Sequence, residues 1–266
     1  MGPTRTESLG SLGGKRYIMV VVDDFSRYSW VEFLREKSQA CEKMGKLCKR
    51  LQNEKGAPII KIKSDNGKEF ENAKFEAFCN EAGIKKESAP KTPQKNGVVK
   101  RKNHVIQEMA RVMLFNKDIP QKFWGEAMNT SCHIGNRIFF RMGTKKTSYE
   151  IWNEKKPKMK YFWVFGSKCF ILNDRENLGK FDARSDEGIF LGYFVNSQAY
   201  RIYNKRTKTI MESINVVIDD AILEKSVDES GDASSLKKND DDGNSSQNSD
   251  VEKQSPEKET SPKKRN

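Results

Sequence analysis

The chain has 266 residues, with 49 Lys and Arg against 37 Asp and Glu and a formal net charge of +12 at pH 7. That length fits one or two domains, and its longest apolar run, Tyr17–Val22, is far shorter than the roughly 20 residues that span a bilayer. No apolar segment follows the N-terminus, which predicts a protein that is not secreted. The five cysteines include no C-x-x-C pair, which predicts reduced thiols and no zinc site.

The charge is unevenly distributed along the chain. Residues 221–266 hold 8 Lys and Arg, 11 Asp and Glu and no aromatic residue. Residues 1–220 therefore hold 41 Lys and Arg, 26 Asp and Glu and every Phe, Trp and Tyr, for a net charge of +15. A basic region with aromatic side chains favours a polyanionic partner, most often nucleic acid. The tail has nothing to bury, so we predict that it is disordered.

Strand and helix patterns alternate over the first 155 residues. Residues 1–16 are small and polar and predict a loop. After them we predict a β-hairpin from Tyr17–Val22 and Tyr28–Leu34 and a strand at Ile59–Ile62. Apolar residues at helical spacing predict four helices, at Lys37–Asn53, Asn72–Ala82, Val98–Phe115 and Pro120–Arg141.

From Tyr161 onward the pattern changes to short β-rich runs between turn residues. Five such runs within about 55 residues predict a small β-barrel, with strands at Cys169–Leu172, Gly188–Tyr193, Tyr200–Tyr203, Thr209–Ser213 and Asn215–Ile218. The predicted organisation is an N-terminal loop over 1–16, an α/β domain over 17–155, a barrel over 160–220 and a charged tail over 221–266.

One carboxylate follows a predicted strand. The predicted strand Ile59–Ile62 runs on into Ser64-Asp65-Asn66-Gly67. Ligand and metal sites collect at the carboxyl edge of such sheets, so Asp65 is a candidate metal ligand. The alternative is an ordinary surface turn, because Asp-Asn-Gly is a common turn sequence.

A second candidate site is the loop before the long helix and the first turns of that helix. Lys100, His104, Gln107 and Arg111 form a polar stripe at helical spacing. The stripe is either a solvated face or a face that contacts DNA phosphates. DNA contact is favoured by a local cluster of cations and one amide, namely Lys91, Lys95, Asn96, Lys100, Arg101, Lys102 and Arg111. There is no Gly-rich phosphate loop, and we expect neither a membrane nor a small-molecule substrate.

Several segments carry a specific resemblance to a known family. They are Val22-Asp23-Asp24-Phe25-Ser26-Arg27-Tyr28, Ser64-Asp65-Asn66-Gly67-Lys68-Glu69-Phe70, Thr92-Pro93-Gln94-Lys95-Asn96-Gly97-Val98-Val99 and Arg101-Lys102-Asn103, followed by Val164-Phe165-Gly166, Lys180-Phe181-Asp182 and Gly188-Ile189-Phe190-Leu191-Gly192-Tyr193. In this order they resemble the integrase of copia-type LTR retrotransposons, with the SH3-like module that follows its core. The resemblance implies an RNase H-like α/β core, a five-stranded mixed sheet flanked by helices, followed by a small all-β SH3-like barrel.

The resemblance also implies a chemistry. Members of the family process and transfer DNA ends with two Mg²⁺ or Mn²⁺ ions, which are held by Asp, Asp and Glu; carboxylate oxygens suit such hard ions. The second Asp corresponds to Asp65, and the position of the Glu is held by Lys100. Gly2-Pro3 resembles the end of an Asp-x-x-Gly-Pro segment, so the first Asp is expected before Met1. Asp23 and Asp24 correspond to turn residues of the family.

The expected function follows from two differences from the family, the first Asp that is expected before Met1 and the lysine at position 100 in place of the Glu. We expect an integrase-derived DNA-binding chain that is catalytically inactive, with weak or lost metal binding. The alternatives are a weakly active strand transferase or nuclease with a non-standard carboxylate (Glu69, Glu87 or Glu108), and a subunit that joins intact integrases as an oligomer. A basic segment, Ser261-Pro262-Lys263-Lys264-Arg265, is compatible with a nuclear location, with the cytoplasm as the alternative. A shortened first strand would leave its neighbours in the sheet unpaired and lower the stability of the core.

Overall fold

A computed structural model describes residues 4–5, 11–64, 67, 69–88, 97–172, 180–181, 183–194 and 199–219. These residues form ten strands and five α-helices. No helix among them is long and apolar enough to cross a membrane. The predicted tail, 221–266, lies outside the described residues.

The first sheet has three strands, β1 (Thr4–Arg5), β2 (Tyr17–Val22) and β3 (Ser29–Leu34), in the order β1-β2-β3. The predicted hairpin of β2 and β3 is confirmed. The prediction of a loop throughout residues 1–16 is wrong in one place, because Thr4–Arg5 is a strand antiparallel to β2, with Thr4 opposite Ile18. A two-residue strand is too short for a sequence period, and it forms here because β2 offers a free edge.

The second sheet consists of β4 (Lys61–Ser64) and β5 (Lys85–Ser88), which are parallel. We predicted β4 two residues too early, because the apolar pair Ile59-Ile60 resembles a strand; Ile60 is 76% exposed, whereas Ile62 and Ser64 are buried. No described strand joins β4 to β2, so the described residues form sheets of three and two strands and not the single five-stranded sheet that the resemblance implies.

Helices cover these sheets. α1 (Ala40–Lys55) buries Met44, Leu47, Cys48 and Leu51. α2 (Ala73–Glu81) begins where predicted, because the Asn72 side-chain oxygen accepts a hydrogen bond of 2.8 Å from the Phe75 amide and so satisfies a free N–H of the first turn. Both helices pack against one apolar cluster that includes Met19, Leu34, Phe70 and Phe75.

Three further helices follow, α3 (Gly97–Asn116), α4 (Trp124–Ile138) and α5 (Ser148–Asn153). The prediction of α3 is confirmed, whereas α4 is shorter than predicted because Gln121–Phe123 forms a separate 3-10 turn. α5 was not predicted, although the sequence carries its signal. Thr147 and Glu150 form a reciprocal capping box at its start.

The C-terminal sheet consists of β6 (Lys168–Leu172), β7 (Ser185–Tyr193), β8 (Tyr200–Asn204), β9 (Thr209–Ser213) and β10 (Val216–Asp219). Its five antiparallel strands have the order β10-β6-β7-β8-β9, which confirms the predicted all-β module. β7 begins three residues earlier than predicted. The early residues were missed because Asp186 and Glu187 are rare in strands.

The C-terminal sheet packs against α3, α4 and the hairpin in a shared apolar core. Leu191 of β7 and Phe165 are buried in the same cluster as Ile18 and Val20 of β2. Two polar interactions link the C-terminal sheet to α4. The Thr130 hydroxyl donates to the Leu191 carbonyl at 2.8 Å, and the Arg201 guanidinium contacts both carboxylate oxygens of Glu126 at 2.8 and 2.9 Å.

Candidate nucleic-acid interface

Helix α3 separates the predicted polar stripe from the core. Ile106 and Ala110 are buried in the cluster shared by α4 and the C-terminal sheet. The opposite side, with Lys100, His104 and Arg111, is exposed. The helical period that predicted the stripe therefore placed its residues on the solvent side, as the sequence indicated.

The cations on that face are not equivalent. Arg111 Nη1 lies 2.5 Å from Glu108 Oε1, so part of its charge is neutralised within the helix. Lys100 and Arg101 are exposed and form an ion pair with no described carboxylate. The first turn of α3 also contains no acidic residue. Cations at a helix N-terminus are unfavourable beside the positive end of the helix dipole unless an anion is close by.

Lys102 differs from its neighbours because it is turned toward the protein. Its ammonium lies 6.0 Å from the centre of the Phe139 ring. Burial lowers the pKa of Lys102, and the nearby Cys132 thiol acts weakly in the opposite direction. The Lys102 side chain therefore covers the end of α4, and Lys100 and Arg101 are better placed to meet a phosphate.

The remaining predicted site residues lie outside the described residues. They are Asp65, Lys91, Lys95 and Asn96. The structure thus places Lys100, Arg101, Lys102 and Arg111 on one helix and leaves their relation to Asp65 as a prediction.

The two aspartates after β2 are engaged in a turn. The Asp23 carboxylate accepts hydrogen bonds from the Ser26 amide and hydroxyl, both at 2.7 Å. Asp24 pairs with Arg27 and with Lys63. The hydrogen bond from Arg27 is the main reason that the pKa of Asp24 is lowered. This agrees with the turn role that the resemblance implies for both residues.

The other carboxylates near the expected site are also paired with cations. Glu69 lies 3.2 Å from Lys37, and Glu87 lies 3.2 Å from Lys61. Within the described part of the chain, no three His, Cys, Asp or Glu side chains converge as metal ligands would. The donor set also includes a misfit, because a charged Lys100 ammonium has no lone pair for a metal. The described residues therefore do not fit a two-metal centre.

A second basic surface was missed by the sequence reasoning. A cleft of about 620 Å³ lies between the hairpin, α4 and the C-terminal sheet, and its lining includes Lys15, Lys122, Arg201 and Lys208. Arg201 is engaged by Glu126, whereas Lys122 and Lys208 are exposed. These residues come from distant segments, so no local charge run could have indicated the cleft.

Comparisons with known proteins fit this arrangement. Residues 6–92 match the family model of the Integrase core domain, and residues 167–231 match that of the Retroviral polymerase SH3-like domain. These matches confirm the predicted fold class, an α/β integrase core of the RNase H-like type followed by an SH3-like all-β module.

Two plant sequences are similar over most of the chain. The Retrovirus-related Pol polyprotein from transposon TNT 1-94 of Nicotiana tabacum is 33% identical over 85% of this chain. The corresponding polyprotein from transposon RE1 of Arabidopsis thaliana is 30% identical over 77% of it. The chain spans only 17% and 14% of the lengths of these relatives.

Two solved structures are more distant. The HTLV-2 integrase catalytic core domain in complex with magnesium is 23% identical, with 56% of this chain and 90% of that chain covered and a TM-score of 0.43. The simian T-cell lymphotropic virus intasome in complex with the PP2A regulatory subunit B56 gamma is 15% identical, with 81% and 76% covered and a TM-score of 0.47.

Proposed function

We propose that this chain, a copia-type retrotransposon polypeptide with an integrase core domain and a retroviral polymerase SH3-like domain, binds DNA but does not transfer strands. DNA integration is the function of the integrase core family. The observation that carries the proposal is Lys100, an exposed lysine in the first turn of α3. The resemblance places the third metal-binding carboxylate at this position.

A lysine in place of a metal-binding carboxylate at position 100 has two chemical consequences. It removes an anionic oxygen ligand, and it adds a positive charge where two divalent cations would have to lie close together. The same positive charge is favourable for DNA, since each lysine or arginine that neutralises a phosphate releases condensed counterions. A single residue therefore weakens metal binding and strengthens phosphate binding.

The exposed cations at the start of α3 make this face the preferred DNA surface. Residues 1–220 have a net charge of +15, which attracts a polyanion from a distance. Lys100 and Arg101 lie at the N-terminal end of α3, and the positive end of a helix dipole also favours a phosphate. We expect Arg111 to contribute less, because Glu108 already neutralises part of its charge.

The salt dependence of duplex DNA binding tests whether the start of α3 is the DNA-binding surface. Each phosphate contact contributes about −0.9 to the slope of log K against log salt, so the double variant Lys100→Ala/Arg101→Ala should flatten the slope by about 1.8. The matched control is Lys168→Ala/Lys205→Ala, since both lysines pair with Glu187. An unchanged slope in the first variant would move the DNA surface to the cleft of Lys15, Lys122 and Lys208, and variants there would then test it.

Calorimetry with Mn²⁺ tests the loss of the metal centre. Two proteins are compared, the chain itself and a version with Lys100→Glu and an added N-terminal strand that carries the family's first Asp. We expect heat of binding only for the second protein. Comparable Mn²⁺ affinity in the unchanged chain would show that the residue correspondence is wrong, and strand-transfer assays would then be required.

A further inference from the structure

Two loops of the α/β region bring exposed apolar residues together. Phe25, in the turn between β2 and β3, is 80% exposed, and Phe140 and Met142, in the loop after α4, are 68% and 89% exposed. The Arg141 guanidinium joins the two loops, because its Nε donates to the Phe25 carbonyl at 3.1 Å and its Nη1 to the Met142 carbonyl at 3.0 Å. Single exposed apolar residues are ordinary, whereas a contiguous group marks a contact surface. We call Phe25, Phe140 and Met142 the apolar tip.

Hydrogen bonds fix the main chain of both loops. In the first loop the Asp23 carboxylate accepts from the Ser26 amide and hydroxyl. In the second loop the Arg141 amide donates to the Lys146 carbonyl at 2.9 Å, and the Thr144 hydroxyl donates to the Arg141 carbonyl at 2.8 Å. Loops held in this way present their side chains with little further ordering cost when a ligand binds.

The apolar tip adjoins the basic start of α3. The Lys102 ammonium of that helix lies 6.0 Å from the centre of the Phe139 ring, and Phe139 directly precedes Phe140 of the tip. The exposed cations Lys100 and Arg101 come immediately before Lys102 in the chain. A DNA duplex that meets these two cations would also reach the tip, because its major groove alone is about 12 Å wide.

The charge around the apolar tip is mainly positive. Lys145 and Lys146 are exposed, and neither forms an ion pair with a described carboxylate. Asp24, the carboxylate in the turn between β2 and β3 that is most exposed, is paired with Arg27 and Lys63, which offset its charge. A positive surface of this kind attracts a phosphate backbone.

We propose that the apolar tip inserts between two base pairs of a bound DNA duplex, unstacks them and bends the DNA. The insertion rests on the proposed function, since the start of α3 must hold the duplex. Phenylalanine and methionine are among the side chains that enter base steps from the minor groove and kink the duplex. The favoured ligand is a duplex with a flexible pyrimidine–purine step such as TA, because this step unstacks more easily than a stiff A-tract.

A protein partner matches the apolar tip less well. The cores of protein interfaces are depleted of lysine, whereas Lys145 and Lys146 follow Met142 within four residues. Two copies of the chain joined through this surface would also bring like charges together, which is unfavourable. Stacked bases between two phosphate backbones supply both an apolar space for the tip and anions for the lysines.

Two measurements on the full chain separate DNA binding from insertion. The fluorescence anisotropy of a labelled duplex reports binding, and 2-aminopurine in the central step reports unstacking, because its fluorescence rises when it leaves the stack. One duplex has a central TA step, and a second duplex of equal length has an A-tract there. We expect the TA duplex to bind roughly tenfold more tightly and to be the one whose 2-aminopurine fluorescence rises.

Matched double variants assign the insertion to the apolar tip. Phe25→Ala/Met142→Ala removes two of its side chains, and the control Phe115→Ala/Ile214→Ala removes two residues that are 89% and 69% exposed elsewhere in the molecule. We expect the tip variant to lose the fluorescence rise and the preference for the TA duplex. Its salt dependence should stay unchanged, because apolar side chains release no counterions. The control should behave as the unchanged chain does, and Phe25→Leu, which keeps an apolar side chain, should retain the fluorescence rise.

The possible outcomes distinguish the insertion from the proposed function. Binding of the TA duplex without a rise in 2-aminopurine fluorescence would overturn the insertion and leave DNA binding intact. An equal rise with the tip variant and the control would overturn it as well. No binding of either duplex in the anisotropy measurement would overturn both proposals. If the tip variant abolished a dimer seen in sedimentation and left the fluorescence rise unchanged, the tip would be a contact between two copies of the chain, against the proposal.

Discussion

Five described strands lie in the α/β region and five in the C-terminal sheet, but only those of the C-terminal sheet form one continuous ladder. In the C-terminal sheet β6, β7, β8 and β9 pair in the order of the chain, and β10 returns to pair with the outer edge of β6, so all four pairs are antiparallel. The described strands of the α/β region form one sheet of three and one of two, and β2 and β4 both border a cavity of about 570 Å³. Antiparallel neighbours can pair across tight turns, whereas parallel neighbours such as β4 and β5 need a long crossover connection.

The two regions also use charge differently. In the C-terminal sheet, Lys205 and Lys168 share Glu187, and Arg206 binds the buried Asp186. At the start of α3, Lys100 and Arg101 meet no described carboxylate. Cations that hold a sheet together are unavailable to a ligand, and so the α/β region has the more open basic surface.

Amide hydrogen exchange should reveal the largest difference between the regions. β7 has ladder partners on both edges, whereas β4 has a described partner on one edge only. We expect amides of β7 to exchange roughly a thousandfold more slowly than those of β4, which corresponds to about 4 kcal/mol in opening free energy. Similar exchange rates in β4 and β7 would contradict the expected difference in stability between the two regions.

The contact between the regions depends on one glycine. Gly192 has φ +134°, and a Cβ atom there would lie 2.0 Å from the Thr130 hydroxyl oxygen. We expect Gly192→Ala to lower the free energy of unfolding by about 3 kcal/mol, through steric overlap and backbone strain together.

A second glycine separates the two causes. Gly143 has φ +79° but open space around it. Gly143→Ala should therefore cost only the strain, about 1 kcal/mol. Equal losses in thermal or denaturant unfolding of the two variants would show that Thr130 yields and that the contact is not tight.

The polar network of the C-terminal sheet should have a smaller effect. Asp186 accepts hydrogen bonds from Asn204 at 2.9 Å and from Arg206 at 2.8 to 3.0 Å. Asp186→Ala leaves the buried Asn204 amide with fewer partners and should cost about 2 kcal/mol in denaturant unfolding. Glu187→Ala is the control, since its exposed ion pairs should contribute under about 1 kcal/mol. Equal losses of unfolding free energy in the two variants would show that the burial of Asp186 adds nothing to the stability of the sheet.

The smallest expected effect concerns pH. His133 of α4 stacks on Tyr193 of β7 with ring centres 4.4 Å apart. Burial, with a contribution from Arg137, lowers the pKa of His133 to about 3. The unfolded chain takes up this proton near its ordinary pKa of about 6.5, so it binds more protons than the folded chain between these values. Stability should therefore fall by about 1 kcal/mol between pH 7 and pH 5.5 because of this residue.

The variant His133→Phe isolates that contribution. Phenylalanine keeps an aromatic ring against Tyr193 and cannot take up a proton, so the loss of stability toward pH 5.5 should become smaller than in the unchanged chain. His104→Phe serves as the comparison, because the His104 side chain is 74% exposed. An identical pH profile for His133→Phe and the unchanged chain would contradict the prediction.

Much of the local structure could be predicted from the sequence. The continuous apolar run Tyr17–Val22 and the predicted second arm Tyr28–Leu34 were sufficient to place the hairpin, and the helical period of α3 placed that helix and its exposed face. The five strands of the C-terminal sheet were also recognisable from their turn residues. These features depend on neighbouring residues, and so they are encoded within short segments of the chain.

The tertiary structure decided which of these residues are available to a ligand. It turned Lys102 toward Phe139, placed Glu108 against Arg111, and brought Leu191 of the C-terminal sheet into one core with Ile18. It also brought residues of β2, β4, α1 and α3 together around one cavity of about 570 Å³. Such outcomes depend on contacts between segments far apart in the chain, and no periodicity within a single segment can specify which distant side chain will be its neighbour.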